Sequence, residues 1–231
     1  MNVNDLYHVP YACFLELNLR HLNVLLLCIL VFTVVPASAT TVLVLGDSIS
    51  AAYGLDRVED GWVSLLQSKL SAQQVRVENA SLSGDTTRGG LDRLPGLLEE
   101  FHPDLLLIEL GGNDGLRGLT PQQMKGNLLA IIEMAERQKT RCVLLGMKIP
   151  PNYGKAFAER FESVYADVAQ QTKVTLLPFL LQGVGGVTTY MQLDGIHPNH
   201  DAQPLIMNQV YNTILPLLSP TPTATRKKKS S

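Results

Sequence analysis

Disulfide bonding is all but closed to this chain, which carries 3 cysteines in 231 residues. Cys13 and Cys28 fall in an N-terminal stretch that reads as removable. The thiol that is left, Cys142, then has no partner for an internal bridge. Stability must come from a packed core instead, and a hydrophobic fraction of 45% is ample for one. Cys142 opens an apolar segment and reads as a buried structural thiol. Net charge is scarce too: the formal value is −2 and only 17% of residues are charged, so nothing marks the chain for nucleic acid. Neither a G-x-G-x-x-G pattern nor a Walker lysine accompanies residues 46–50, which argues against a dinucleotide or phosphate loop. There is no internal repeat. The apolar run at 24–35 falls short of the ~20 residues that a spanning helix needs.

That run belongs to a segment foreign to the rest. Arg20 precedes it, and Pro36 leads from it into Ala37-Ser38-Ala39. A basic residue, a short apolar stretch and an A-x-A site form a secretory signal peptide over residues 1–39, with cleavage after Ala39. The competing reading is an uncleaved N-terminal anchor. Bulky Leu27 before Cys28 speaks against lipid attachment there. Asp5 and Glu16 suit the start of a signal poorly, so the true start is expected downstream of residue 17. Removal of the signal leaves a periplasmic or secreted protein without a membrane span. At the other end, Pro and Thr alternate from Ser219 and lead into Arg226-Lys227-Lys228-Lys229. With no apolar face to bury, residues 219–231 read as a disordered, solvated basic tail.

Between these ends, apolar runs of strand length recur at 41–45, 75–79, 104–110, 142–147 and 174–178. Stretches with helical spacing separate them. Trp62, Leu65, Leu66 and Leu70 share a face, as do Leu128, Ile131, Ile132 and Ala135. The same holds for Phe157, Phe161, Val164 and Val168, and for Ile206, Val210 and Ile214. Continuous apolar strands alternating with amphipathic helices predict an α/β fold, a parallel sheet covered on both faces, over residues 40–218. In such sheets functional groups gather at the carboxyl ends of the strands.

Four short blocks sit at such places. Ser48, in Gly46-Asp47-Ser48-Ile49-Ser50, follows the first strand, where a strand-to-helix elbow exposes a hydroxyl and a backbone N–H. The block departs from G-x-S-x-G, with Ser50 in place of the second glycine, and an ordinary turn serine is the alternative. Gly84, in Ser83-Gly84-Asp85, follows the second strand, where a glycine lets its N–H approach a ligand; a plain turn glycine is the alternative. Asn113, after Gly111-Gly112 and the third strand, offers a side-chain amide to a negatively charged oxygen, or merely a local Asn-Asp turn. His197 has Asp194 three residues before it, across Gly195, so a carboxylate can hold one ring nitrogen while the other faces a serine. Nucleophile, base, orienting acid and oxyanion donors are the requirements of acyl transfer. Asp194, His197, His200 and Asp201 also form an oxygen/nitrogen cluster that a metal could use, but nothing elsewhere supplies a matching pair of ligands.

The blocks Gly46-Asp47-Ser48, Gly84, Gly111-Gly112-Asn113-Asp114 and Asp194-x-x-His197 resemble the SGNH (GDSL) hydrolase family. The stretches 42–50, 79–86, 109–118 and 192–203 are similar, more narrowly, to its periplasmic thioesterase I/lysophospholipase branch, often labelled arylesterase. The resemblance implies a three-layer αβα, flavodoxin-like five-stranded sheet. It implies Ser48 as nucleophile, His197 as base, Asp194 as its orienting acid, and an oxyanion hole of Ser48 N–H, Gly84 N–H and the Asn113 amide. It also implies no metal, no cofactor and a monomer. One departure is local: Gly183-Val184-Gly185-Gly186, ahead of the histidine block, bears on the shape of the acyl-binding rim. Acyl contacts are expected from Leu116 and Leu119 after the third strand and from Met147, Ile149 and Pro150 after the fourth. The expected activity is hydrolysis of acyl esters and thioesters. The alternatives are removal of acetyl groups from a carbohydrate, or a non-catalytic module that binds lipid or glycan.

Overall fold

The computed structural model describes residues 39–218. The residues read as a signal peptide, apart from Ala39, and the tail at 219–231 lie outside them. Five parallel strands form one sheet: β1 (Thr40–Gly46), β2 (Val75–Asn79), β3 (Leu105–Glu109), β4 (Arg141–Leu145) and β5 (Thr175–Leu177). Their order across the sheet is β2-β1-β3-β4-β5. The strands begin and end within a few residues of the apolar runs in the sequence.

The middle strands are apolar because both of their faces are covered. Val42, Leu43, Val44 and Leu45 of β1 and all of Leu105–Ile108 in β3 are fully buried. On one face, α1 (Trp62–Leu70) packs beside α6 (Gln203–Leu218); on the other lie α2 (Thr87–Phe101), α4 (Pro121–Arg137) and α5 (Lys155–Thr172). The predicted helical faces point inward: Trp62, Leu66 and Leu70 are buried, as are Leu128, Ile131, Ile132 and Ala135, Phe161, Val164 and Val168, and Ile206, Val210 and Ile214. Leu65 and Phe157 are half-buried. Cys142 is buried, and burial pushes its thiol up to about 12.

The sequence patterns did not single out α2, whose segment contains Gly89-Gly90 and Pro95, all poor helix formers. Tertiary packing overrides that propensity. Gly90, Leu94 and Leu98 turn onto the sheet, and the Thr86 hydroxyl accepts from Gly89 N–H at 3.2 Å as the helix cap. By contrast, α4 announces itself through a complete capping box between Thr120 and Gln123, with Pro121 in the first turn. No helix among the described residues is long and apolar enough to cross a membrane.

Strand order reverses between β1 and β3, so the loops leaving these neighbours diverge and open a crevice at their carboxyl ends. The register sets Gly46 beside Glu109 at its floor. Because β3 is buried on both faces, truncating Leu107 to alanine is expected to cost about 2–5 kcal/mol through lost contacts and a residual cavity. Denaturant unfolding of that variant checks the expectation.

Candidate active site

Ser48 follows β1 in a tight turn in which Ala51 N–H donates to Asp47 O at 2.9 Å and Tyr53 N–H to Ser48 O at 3.1 Å. The turn leaves Ser48 half-buried at the crevice mouth while Asp47, Ile49 and Ser50 point inward. His197 arrives from the other end of the chain, and its Nε2 lies 2.8 Å from Ser48 Oγ. Its Nδ1 lies 2.6 Å from Asp194 Oδ2. Asp194 Oδ1 accepts from Ile196 N–H at 2.9 Å and His197 N–H at 3.0 Å, so one short turn fixes carboxylate and imidazole together. Partial burial works to raise the Asp194 carboxyl. The hydrogen bonds from His197 and Ile196 outweigh it and bring the group down to about 2.

The histidine loop is tied to the serine turn. Gln192 N–H donates to His197 O at 2.8 Å. The Gln192 amide reaches Tyr53 O at 2.8 Å and Pro198 O at 3.1 Å. Gln203, at the start of α6, donates to Pro198 O and Asn199 O and accepts from Trp62 N–H at 3.0 Å, which links the loop to α1. The Tyr53 ring packs against the His197 ring with centroids 4.6 Å apart. The sequence assigned no role to Tyr53, Gln192 or Gln203, since each acts through a contact that no local pattern records.

The candidate oxyanion donors converge opposite. Gly84 follows β2 with φ +80, a conformation that L side chains rarely adopt, and its carbonyl is held by Arg117 Nη2 at 2.8 Å. Asn113 sits in the five-residue helix α3 (Gly112–Leu116), entered through Gly111 at φ +118, where a Cβ would lie 2.3 Å from the Tyr165 hydroxyl. Asp114 turns inward from the same helix and receives Thr87 N–H at 2.8 Å together with the Thr87 hydroxyl, joining this loop to the start of α2. Burial raises the Asp114 carboxyl against those bonds. Among the described residues, neither Ser48 N–H nor Gly84 N–H has an acceptor within the chain. Asn113 Nδ2 spends one hydrogen on Asp47 Oδ2 at 3.0 Å, and Asn113 lines the crevice with Ser48 and Gly84.

The crevice is a cavity of about 610 Å³, within the range usual for small-molecule sites. Leu116, Met147, Ile149 and Pro150 line it. Leu119 does not, which corrects the expected contact: α3 stops at Leu116, Gly118 reverses the chain at φ +71, and Leu119 N–H folds back onto Asp114 O at 2.9 Å. Phe179 and Leu181, after β5, complete the apolar wall, and Gly185 and Gly186 of the glycine-rich segment form part of the rim. Among the described residues no group of three or more His, Cys, Asp or Glu side chains is arranged to hold a metal ion. Among the described residues, the His200 ring meets Asp201 Oδ1, at 3.4 Å.

Known proteins resemble the chain over most of its length. Residues 44–203 match the model of the GDSL-like lipase/acylhydrolase family. The chain is 53% identical to Esterase TesA of Pseudomonas aeruginosa over 184 residues, covering 79% of this chain and 91% of that protein. It is 42% identical over 199 residues to Thioesterase 1/protease 1/lysophospholipase L1 of Escherichia coli K12, covering 86% and 94%. Among solved structures, the psychrotrophic esterase EstA from Pseudoalteromonas sp. superposes with a TM-score of 0.74 at 42% identity, covering 78% of this chain and 100% of that one. Fold, motif order and these relatives together mean that the chain belongs to the GDSL-like lipase/acylhydrolase (SGNH) family of ester-bond hydrolases.

Proposed function

We propose that this protein is an exported serine esterase that hydrolyses acyl esters and thioesters by way of an acyl-enzyme. The observation that carries the reading is the His197 ring, hydrogen-bonded to Ser48 Oγ on one side and Asp194 on the other, at the edge of an apolar cavity. Ser48 Oγ attacks the acyl carbonyl carbon as its proton passes to His197 Nε2. Asp194 holds the Nδ1–H tautomer and stabilises the imidazolium that forms. Charge moving onto the carbonyl oxygen meets Ser48 N–H, Gly84 N–H and the free hydrogen of the Asn113 amide. The tetrahedral centre collapses, the leaving alcohol or thiol takes the proton from His197, and water repeats the cycle to release the acid.

The cavity walls favour an aliphatic acyl group over a glycan. Leu116, Met147, Ile149, Pro150, Phe179 and Leu181 offer methyl, methylene and aromatic surface and few groups that could bind sugar hydroxyls. Thioester and lysophospholipid substrates enter through the names that its relatives carry. Export rests on the signal pattern of residues 1–39. The exported protein is a monomer with Thr40 as its first residue, which mass spectrometry of the product secreted by a bacterial host would check. A product that retains residues 24–35 would overturn the cleavage.

Hydrolysis of p-nitrophenyl esters from two to sixteen carbons tests the reading. Ser48→Ala is expected to lower kcat by about 10⁴-fold or more without loss of folding, and the native protein is expected to prefer medium or long chains. Undiminished turnover by Ser48→Ala would sink the mechanism; activity confined to acetate would move the assignment to a deacetylase. A second expectation concerns pH. The Asp194 carboxyl lies at about 2 in the fold against an ordinary 3.8, so its contribution to stability is present above 3.8 and is lost as pH falls through about 2. The stability gap between the native protein and Asp194→Asn, measured by denaturant unfolding, should therefore shrink between pH 4 and pH 2. A gap that widens would contradict the sign.

A further inference from the structure

Beneath the nucleophile lies a pair of buried acids that the reaction above does not use. Glu109, the last residue of β3, is fully buried, and its Oε2 accepts both Asp47 N–H at 3.1 Å and the Ser50 hydroxyl at 2.7 Å. Its Oε1 is buried with no hydrogen-bond partner among the described residues. Asp47 is buried beside it. Its Oδ1 accepts from Ile49 N–H at 3.0 Å and its Oδ2 from the Asn113 amide at 3.0 Å. The two acids thus hold the backbone on either side of Ser48 and one of the hydrogens of the oxyanion amide.

We propose that Asp47 and Glu109 are positioning residues of the oxyanion site, with Glu109 fixing the serine turn and Asp47 aiming the second hydrogen of the Asn113 amide at the reacting oxygen. The inference rests on the serine-esterase reading and names the groups that preorganise it. The residue types follow from the donors. Asp47 receives an N–H at each oxygen, and only a carboxylate accepts at both; an asparagine would set its own N–H₂ against one of them. Glu109 receives both of its donors on one oxygen, so a neutral acid or an amide serves equally well there. Neutrality also suits the chemistry, because two full negative charges under a developing oxyanion would oppose it. Burial raises both carboxyls, and the neighbouring Asp47 charge raises Glu109 further. Burial and their proximity thus disfavour the doubly charged pair.

Removing one oxyanion donor costs about 10²–10³-fold in kcat, and misplacing a reacting group by 1 Å costs about a hundredfold. Asp47→Asn should accordingly lower kcat by about tenfold to a hundredfold on a p-nitrophenyl ester and leave KM within about twofold. The decisive measurement is a double-mutant cycle with Asn113→Ala. In that background Asp47→Asn should change kcat by less than about threefold, because the amide it aims is gone. If the same substitution is as costly without Asn113 as with it, Asp47 acts by some other route and the proposal fails. Glu109→Gln is the conservative partner and keeps an oxygen for both donors. It should hold kcat within about threefold, whereas Glu109→Leu, which strands Asp47 N–H and the Ser50 hydroxyl, should lose at least about tenfold. Loss in Glu109→Gln equal to that in Glu109→Leu would overturn the neutral-acceptor role, and this comparison still decides if Asp47→Asn does not fold. Ser48→Ala is run in parallel. Its full activity would remove the esterase mechanism itself, while a Ser48-dependent reaction with an additive cycle would remove only the positioning role.

Discussion

The parallel pairing of β1 with β3 is the constraint from which the site follows. Each strand ends in a loop bearing part of the chemistry, and their register, with Val42 beside Leu105 and Gly46 beside Glu109, fixes how far apart the two loops start. Both strands are sealed from water on each face, so sliding by a residue would exchange the side chains that each face presents and break the packing of the helices against them. The Ser48 turn and the Asn113 helix inherit that rigidity. The reversal of strand order between them makes the gap a crevice, and neither loop needs to bend to create it.

A second constraint is polar. Asp47 at the crevice floor and Glu109 and Asp114 beneath it are all buried, where burial of an ionised group is costly. Each is met by donors from a different element: Asp114 by Thr87 at the start of α2, Asp47 by Asn113 on α3, and Glu109 by the Ser48 turn. The acids cross-link loops that the sheet only brings near one another. Within a site of low dielectric such bonds are stronger than in water, and leaving one partner unpaired costs more. Ser48 and Asn113 therefore sit in a frame tied to these acids, so displacing either loop breaks one of their hydrogen bonds.

How much of this was legible in the sequence depended on the distance over which each feature is determined. Strands and amphipathic helices are local, and they were readable from apolar spacing. Ser48, Gly84, Asn113 and His197 were readable because each lies in a short block at a strand end. Their meeting, 149 residues apart for Ser48 and His197, followed once the sheet was parallel. α2 was hidden because Gly89, Gly90 and Pro95 contradict it locally, and packing against the sheet decides in its favour. The role of Gln203, which accepts from Trp62 N–H across 141 residues, was unreadable because a glutamine looks like surface until its partners are known. Leu119 failed as a cavity residue for a similar reason: an apolar residue just after a motif says nothing of the turn at Gly118 that carries it away.

The same division explains how a chain whose described residues hold one free thiol can support so polar a site. Among the described residues Cys142 is buried and makes no bridge, so no disulfide there offsets the cost of the buried acids beneath the crevice. The offset has to come from apolar burial elsewhere, and the described residues place it where the site needs it. Fully buried Val44, Leu45, Leu107 and Ile108 lie near the carboxyl ends of β1 and β3, just before the loops that bear Ser48 and Asn113. Each buried side chain of this size contributes roughly 1.5–3 kcal/mol, against about 1–3 kcal/mol for each imperfectly paired buried polar group above it. The stabilising and destabilising groups share the same strand ends. A substitution that loosens the core there should thus be felt first in the geometry of the donors, before the fold as a whole gives way.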